Sequence, residues 1–262
     1  MTRSIRTATA EYQVLAALRD NRQKRNRENA FLVEGVRNID AAFTHGWTVR
    51  SVLSCAGAKR SAWAESVVAR GHDAAELPPE LFDELTDRDE RPELLLVVEK
   101  RSIALADLAV RGEFVVTVLD RPASPGNIGT IIRTTDAFGA GAVLVTGHAA
   151  DPYDPRSLRA STGSFFAVPV VELASAEVLR TWADSAGVSV VATDEQGDTA
   201  LNDIPPGSLA LLFGNETTGL SRPLREASDC TVAIPMTGTA SSLNVAAAHA
   251  IVLFSATSLR QG

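Results

Sequence analysis

The sequence predicts an α/β protein whose second half forms a largely parallel β-sheet. Apolar, β-branched runs alternate with helical segments along the chain, and several of the helical segments end at a glycine. Some runs are apolar at almost every position, as expected for parallel strands buried on both faces, and Phe114–Leu119 (FVVTVL) is the clearest case. The length of 262 residues, 45% of them hydrophobic, allows one large domain or two modest ones.

Charge is distributed unevenly along the chain, whose formal net charge is −7. Residues 1–105 hold 16 basic and 16 acidic side chains, whereas residues 106–262 hold 9 basic and 16 acidic ones and no lysine. The basic residues are densest in Arg19–Arg27. Such a cluster is either a solvated helix end or a site for phosphate, because phosphate binding depends on where the charges lie.

Several classes of protein are disfavoured by the composition. No apolar run reaches the ~18 residues that a membrane span needs, and the N-terminus lacks an apolar signal region, so we expect a cytoplasmic protein without a membrane segment. Two cysteines, Cys55 and Cys230, do not form a disulfide framework and are expected to be small core residues. Four scattered histidines without metal-ligand spacing predict that no metal is bound.

The first half is predicted to be a small α/β domain spanning residues 1–105. The pattern predicts helices at 9–20, 38–45, 62–70 and 80–86, strands at 30–35, 49–54 and 93–99, and a surface loop at 88–92.

The second domain is predicted over residues 106–262 and has the same alternation. Strands are expected at 114–119, 142–145, 166–171, 188–193, 208–213 and 230–234, and helices at 127–138, 155–161, 176–186 and 223–227, with an Ala-rich helix after 244. Ligand sites in such sheets lie beyond the carboxyl ends of the strands. The loops 120–127, 194–197, 214–220 and 235–242 are therefore the candidates.

Two common nucleotide-binding classes do not fit these loops. A dinucleotide fold needs Gly-x-Gly-x-x-Gly after the first strand, where this chain has DRPASPGNIG. A phosphate-loop NTPase needs Gly-x-x-x-x-Gly-Lys, which is absent.

Three loops instead carry an ordered set of motifs. The first is Asn-x-Gly-x-x-x-Arg, with Asn127, Gly129 and Arg133. The second is Gly-x-Glu-x-x-Gly, with Gly214, Glu216 and Gly219. The third joins Ile234-Pro235-Met236 to Ser-Ser-Leu-Asn-Val at 241–245. One such motif is weak evidence, but three in this order are specific.

The three motifs resemble the SPOUT class of RNA methyltransferases, in its SpoU (TrmH-like) branch of ribose 2′-O-methyltransferases. The resemblance covers residues 114–255. The segment FLVEG (Phe31–Gly35) is similar to the L30e-like substrate-binding domain of that branch. The stretches RPASPGNIGTIIR, DPYDP and GNETTGLS are similar to its avilamycin-resistance group.

The resemblance implies a fold, a cofactor and an assembly that the spacing alone does not. The second domain would contain a trefoil knot, S-adenosyl-L-methionine would bind in it, and the enzyme would be a homodimer. The residues implied as cofactor-binding are Gly214, Ile234, Leu243, Thr193, Asp194, Phe213 and Met236.

The resemblance also implies five catalytic residues: Arg133, Asn127, Glu216, Ser242 and Asn244. Arg133 would act on the ribose hydroxyl, holding the neighbouring phosphate and stabilising the alkoxide, because a guanidinium is a poor base.

Each assignment has a purely structural alternative. Arg133 can be a helix-surface arginine in a salt bridge, and Asn127 and Ser242 can be helix N-caps. Glu216 can be an acid in the first turn of a helix. His249, in the Ala-rich helix, is expected to be a core or interface residue.

The RNA is expected to bind the first domain. With the resemblance, the basic cluster becomes a predicted RNA contact through Arg22, Lys24, Arg25 and Arg27, assisted by Arg37. The predicted activity is methylation of 23S ribosomal RNA. The alternatives are a tRNA 2′-O-methyltransferase and a catalytically silent RNA-binding factor.

Overall fold

The computed structural model describes residues 3–86 and 90–258 and separates the chain into two compact units. The first unit contains the residues up to Arg101 together with Tyr153–Phe166. The second contains Ser102–Pro152 and the residues from Ala167 onward. The division after Arg101 lies close to the boundary predicted at residue 105, but Tyr153–Phe166 packs within the first unit although it follows two strands of the second.

The first unit is built on a five-stranded mixed sheet with the order β1-β4-β3-β5-β2. Its strands are β1 (Arg3–Ser4), β2 (Ala30–Glu34), β3 (Val49–Cys55), β4 (Asp73–Leu77) and β5 (Leu94–Glu99). Its helices are α1 (Ala10–Asp20), α2 (Arg22–Glu28), α3 (Val36–Thr44), α4 (Ala62–Val68), α5 (Pro79–Asp83) and α7 (Pro155–Ser161). Strand β5 is antiparallel to both of its neighbours, and β4 is parallel to β3 and β1.

Aromatic side chains fix the segment Tyr153–Phe166 in the first unit. Phe31 of β2 lies in edge contact with Trp47, Tyr153 and Phe165 at centroid distances of 4.9–6.0 Å. The indole of Trp47 donates a hydrogen bond to the carbonyl of Phe166 (2.9 Å). Burying this many rings at one place stabilises the contact strongly, because each aromatic side chain removes a large apolar area from water.

One predicted strand is wrong at its start, and one strand of this unit was missed. The strand predicted at 166–171 begins only at Val170, because Phe166 lies in a short 3₁₀ turn and is buried against Trp47. Strand β4 was not predicted, since its sequence DAAEL is poor in β-branched residues and its pairing with β3 and β1 decides its conformation. The loop predicted at 88–92 lies partly outside the described residues.

The second unit contains a seven-stranded sheet, parallel throughout, with the order β10-β12-β9-β11-β6-β7-β8. Its strands are β6 (Val115–Asp120), β7 (Ala142–Thr146), β8 (Val170–Leu173), β9 (Val188–Thr193), β10 (Thr199–Ala200), β11 (Ser208–Phe213) and β12 (Cys230–Ala233). Its helices are α6 (Pro125–Ala137), α8 (Ala176–Ala186), α9 (Arg222–Glu226) and α10 (Val245–Ser258). The predicted parallel sheet is confirmed.

The central strands of this sheet are buried along their whole length, which explains their apolar sequences. Every residue of β6, β7 and β11 is buried. Helix α10 packs against α6 and β11.

No helix in the part of the chain that the structure describes is long and apolar enough to span a membrane. In the same part, no three His, Cys, Asp or Glu side chains cluster as ligands for a metal ion would.

Candidate functional site

Four neighbouring strands bring the candidate loops together. In the order β12-β9-β11-β6 the strands are adjacent and parallel, so their carboxyl ends meet at one edge of the sheet. The loops that follow them are 234–244, 194–198, 214–221 and 121–124. These are the loops that the sequence analysis selected, with differences of one to three residues at their ends.

Asn127 and Glu216 join the first two motifs directly. Asn127 Nδ2 donates to Glu216 Oε1 (2.9 Å), and the backbone N–H of Ala123 donates to Glu216 Oε2 (3.0 Å). Asn127 is not the helix N-cap, because Ser124 accepts its N–H and Pro125 occupies the first position of α6. Glu216 lies in a turn between β11 and α9, so neither residue has the purely structural role considered above.

Asn244 brings the third motif to the same point. Its Nδ2 donates to Asn127 Oδ1 (3.3 Å), and its Oδ1 accepts the N–H of Ala246 at the start of α10 (2.9 Å). Asn244 therefore has two roles, because it caps α10 and also orients Asn127. Ser242 lies two residues before it in the exposed loop, so Ser242 does not have the N-cap role considered above as its structural alternative.

The hydrogen bonds around Glu216 control its ionisation. Desolvation by burial would raise its pKa, but the bonds from Asn127 and from the backbone of Ala123 outweigh it and hold the pKa below its ordinary value. Glu216 is therefore an anion at neutral pH. Its two oxygens accept from Asn127 Nδ2 and from the N–H of Ala123, which fixes the Asn127 amide with its oxygen toward Asn244.

Arg133 lies on the exposed side of α6, six residues after Asn127. Within residues 3–86 and 90–258 its guanidinium makes no hydrogen bond or salt bridge, so the salt-bridged surface arginine considered above is not observed. An exposed guanidinium without a partner keeps its donors for an anion. The structure does not place the side chains of Arg133 and Ser242 in contact with the Asn127–Glu216–Asn244 group.

Three polar residues that the sequence analysis did not select also connect these loops. Arg121 Nη2 donates to the carbonyl of Gly219 (3.0 Å), and Asn215 Nδ2 donates to the carbonyl of Arg121 (2.7 Å). Asp120 Oδ2 accepts the N–H of Ser221 (2.6 Å). The sequence signal for Asp120 and Arg121 was an Asp-Arg pair directly after a predicted buried strand and before the proline-rich loop, whereas Asn215 is a variable position within the second motif.

The residues implied as cofactor-binding lie along these loops. Phe213 is the last residue of β11 and is followed by Gly214, while Thr193 ends β9 and donates to the carbonyl of Leu212 (2.7 Å). Asp194 accepts the N–H of Gln196 and donates its own N–H to Val232. Ile234 follows β12 and is half-buried.

The loop 235–243 has the features that a nucleoside cofactor requires. Met236 and Leu243 leave 37% and 39% of their area exposed, so they present apolar surface to solvent. The backbone N–H groups of this loop donate to no backbone carbonyl in the described chain. Apolar walls with free backbone groups suit an adenine ring and a polar amino-acid chain, so these residues fit S-adenosyl-L-methionine.

Gly214 is required by a close backbone contact. A Cβ atom at this position would lie 2.3 Å from the backbone nitrogen of Leu220. The loop 214–220 folds back on itself there, and Asn215 and Gly219 exchange backbone hydrogen bonds (2.9 and 3.2 Å). The glycine keeps the entrance of the loop narrow and exposes Glu216 at its tip.

His249 is a core residue and lies beneath the site. It is fully buried in α10, its Nε2 is 2.9 Å from Thr117 Oγ1 of β6, and its ring contacts Phe213 in edge geometry at 5.0 Å. Burial lowers the pKa of His249 to about 3, so the ring is neutral at physiological pH. The core position considered in the sequence analysis is confirmed.

The basic cluster in the first unit divides into two groups. Arg22, Arg27 and Arg37 are exposed, and Lys24 is half-buried beside Glu28 (2.9 Å). Arg25 is only 2% exposed, and its Nη1 donates to the carbonyls of Leu18 and Arg19 at the end of α1 (both 2.8 Å). The prediction that Arg25 contacts RNA is therefore wrong for this conformation, because the residue caps a helix from inside the fold.

Comparison with known families matches both parts of the chain. The model of the SpoU rRNA methylase family matches residues 114–254, and that of the SpoU L30e-like domain matches residues 9–96.

Two known proteins and one crystal structure are similar over most of the length. A 23S rRNA (uridine(2479)-2′-O)-methyltransferase of Streptomyces viridochromogenes is 44% identical over 97% of this chain and 91% of its own. The 23S rRNA (guanosine(2553)-2′-O)-methyltransferase RlmP of Bacillus subtilis is 31% identical over 89% of this chain and 90% of its own. The crystal structure of the SpoU methyltransferase AviRb from Streptomyces viridochromogenes, in complex with the cofactor AdoMet, superposes with a TM-score of 0.92 at 42% identity, covering 97% of this chain and 99% of that one.

Proposed function

The chain belongs to the SpoU rRNA methylase family, and from this premise we propose that it methylates a ribose 2′-hydroxyl of 23S ribosomal RNA with S-adenosyl-L-methionine. The observation that carries the proposal is the junction of three motif loops through Asn127, Glu216 and Asn244. Relatives named as 23S rRNA 2′-O-methyltransferases align over 89% and 97% of the chain.

The cofactor would lie on the loops after β9, β11 and β12. The residues that would hold it are Gly214, Ile234, Leu243, Thr193, Asp194, Phe213 and Met236. When bound, it supplies an electrophilic methyl group on a sulfonium centre. Leu243 and Met236 would shield that group from water with their exposed apolar side chains.

The chain's own polar residues perform the rest of the reaction. The 2′-oxygen of the ribose forms a bond to the methyl carbon as the carbon–sulfur bond breaks, and the hydroxyl proton leaves to a phosphate oxygen or to water. Arg133 binds the neighbouring phosphate and stabilises the negative charge that develops on the oxygen. Asn127, held by Glu216 and Asn244, and Ser242 hold the ribose in line.

The first unit is the RNA-binding domain in this proposal. Its exposed basic side chains, Arg22, Arg27 and Arg37 with Lys24, would contact phosphates, while the second unit performs the chemistry. Such an enzyme works in the cytoplasm, where ribosomal RNA is found.

An exposed apolar surface supports a homodimer formed by the second unit. Phe138 at the end of α6 contacts Phe254 of α10 (5.7 Å between ring centroids), and Ile251 lies on the same helix. Phe254 leaves 54% of its area exposed and Ile251 leaves 39%. Three such side chains on two packed helices are typical of an interface core.

We also propose that the chain after β11 forms the trefoil knot of the family.

The decisive experiment is to incubate the purified protein and labelled S-adenosyl-L-methionine with 23S rRNA, 16S rRNA and total tRNA. Labelling of 23S rRNA alone, at one ribose that then resists alkaline hydrolysis, is the expected result. Labelling of tRNA would favour the alternative substrate. No labelling of any RNA, together with measurable RNA binding, would show a silent RNA-binding factor and overturn the proposal.

A further inference from the structure

Arg121 adopts a backbone conformation that arginine rarely takes. Its φ angle is +51°, in the left-handed region, where a side chain with a Cβ atom is strained. Strain of this kind persists only where the surrounding contacts impose it. Here the N–H of Arg121 donates to the carbonyl of Thr146 (3.0 Å), and its own carbonyl accepts from Asn215 Nδ2 (2.7 Å).

The side chain of Arg121 then connects two loops. Its Nε and Nη2 each donate to a carboxylate oxygen of Asp120 (both 3.0 Å), and Nη2 also donates to the carbonyl of Gly219 (3.0 Å). The same Asp120 carboxylate accepts the N–H of Ser221. Residues 120–121 therefore bond to both ends of the loop that carries Glu216.

The donors to Glu216 come directly after Arg121 in the chain. Ala123, two residues later, donates its N–H to Glu216, and Asn127 donates to the other oxygen of the same carboxylate. The relative placement of Asn127 and Glu216 thus depends on how the two loops are joined at Arg121. We propose, on the basis of the proposed function, that Arg121 is a positioning residue for methyl transfer, which aligns Asn127 and Glu216 without touching the substrate.

Gly147 supplies a second, independent way to disturb the same contact. A Cβ atom at Gly147 would lie 2.5 Å from Cγ of Arg121, so the Arg121 side chain occupies the space that a larger residue would need. Gly139 is a matched control. Its φ angle of +68° is close to the +72° of Gly147, but a Cβ atom there would meet nothing within 4 Å. Gly139→Ala therefore introduces the same backbone strain without displacing Arg121.

The test compares Arg121→Ala, Arg121→Lys, Gly147→Ala, Gly139→Ala and the double variant Arg121→Ala/Gly147→Ala. Arg121→Ala and Gly147→Ala should each lower kcat by about 10-fold or more, because small misplacements of reacting groups are costly. The dissociation constant of S-adenosyl-L-methionine should change by less than about threefold, since the loop entrance at Gly214 remains closed by its own backbone contacts.

Three further outcomes separate positioning from simple stability. Arg121→Lys should recover part of kcat, Gly139→Ala should keep the wild-type kcat, and the double variant should be no slower than Arg121→Ala. Hydrogen exchange should accelerate in residues 214–221 of the two slow single variants. Hydrogen exchange is measured without RNA. If the wild-type protein methylates no RNA, the proposed function is refuted, but exchange in 214–221 still shows whether Arg121 holds the two loops together.

The inference is overturned by any of three results. These are a kcat of Arg121→Ala within about twofold of wild type, an equal loss in Gly139→Ala and Gly147→Ala, or unchanged exchange in 214–221.

Discussion

The Arg133 guanidinium is exposed and, unlike the side chains of Asn127, Glu216 and Asn244, makes no hydrogen bond or salt bridge within the described chain. Arg133→Ala should therefore abolish methyl transfer, while the affinity for S-adenosyl-L-methionine and the melting temperature stay close to wild type, because no intramolecular bond is lost. Transfer is measured with labelled cofactor and affinity by calorimetry. Arg222→Ala, at another exposed arginine of the same unit, is the control and should remain active. Wild-type transfer by Arg133→Ala would exclude the proposed mechanism.

His249 makes the stability of the second unit depend on pH. Burial lowers its pKa from 6.5 to about 3, so between these values the unfolded chain binds a proton that the folded chain does not. The free energy of unfolding should then fall on acidification from pH 6.5, by up to about 1.4 kcal/mol per pH unit.

Urea unfolding between pH 4.5 and 7.5 measures this effect. His249→Gln keeps a polar group near Thr117 and should flatten the acid side of the profile. His148→Gln, at an exposed histidine of the same unit, should leave the slope unchanged. Equal slopes in wild type and His249→Gln would show that His249 does not cause the acid sensitivity.

At the scale of single elements, local sequence predicts the strands that are buried on both faces. It fails for segments whose conformation is decided by contacts with residues distant in the chain. β11 (SLALLF) was predicted because an apolar run of strand length has few other solutions in an α/β chain. β4 (DAAEL) carries no such signal. The apolar run that begins at Phe165–Phe166 has the sequence pattern of a strand, but these two residues form a 3₁₀ turn and pack in the first unit.

The same distinction applies to the site. Asn127, Glu216 and Asn244 were selected from the motifs, and the structure brings these three into contact. Arg121 was not selected, because its contacts are to residues about 94–98 positions away and its positive φ angle has no sequence signal. The burial of Arg25 likewise depends on how α2 turns back on α1, which a charge count cannot predict.

A prediction about the proposed dimer concerns the packed helices α6 and α10. Phe254→Asp should convert the proposed dimer to a monomer, because it places a charge in the centre of the exposed apolar surface with Phe138 and Ile251. Sedimentation velocity gives the mass. Val178→Asp is the control, since Val178 is also exposed (43%) but lies on α8, away from this surface. A Phe254→Asp protein that remains dimeric would place the interface elsewhere.

At the scale of the whole molecule, charge is distributed unevenly between the two halves of the chain. The acidic balance of residues 106–262 disfavours RNA, so attraction to phosphates other than the one bound by Arg133 has to come from the exposed arginines of the first unit. Each phosphate contact releases counterions and makes binding more sensitive to salt. The salt dependence of RNA affinity therefore reports how many of these arginines are used.

The double variant Arg22→Glu/Arg27→Glu should weaken RNA binding and make the plot of log K against log salt shallower by about 1 to 2 units. Arg222→Glu/Arg225→Glu makes the same change of charge on exposed residues of the second unit and should leave the slope unchanged. Arg25→Gln should lower the melting temperature instead, because it removes bonds to Leu18 and Arg19. If the two double variants shift the slope equally, net charge and not a localised surface attracts the RNA, and the assignment of RNA binding to the first unit is wrong.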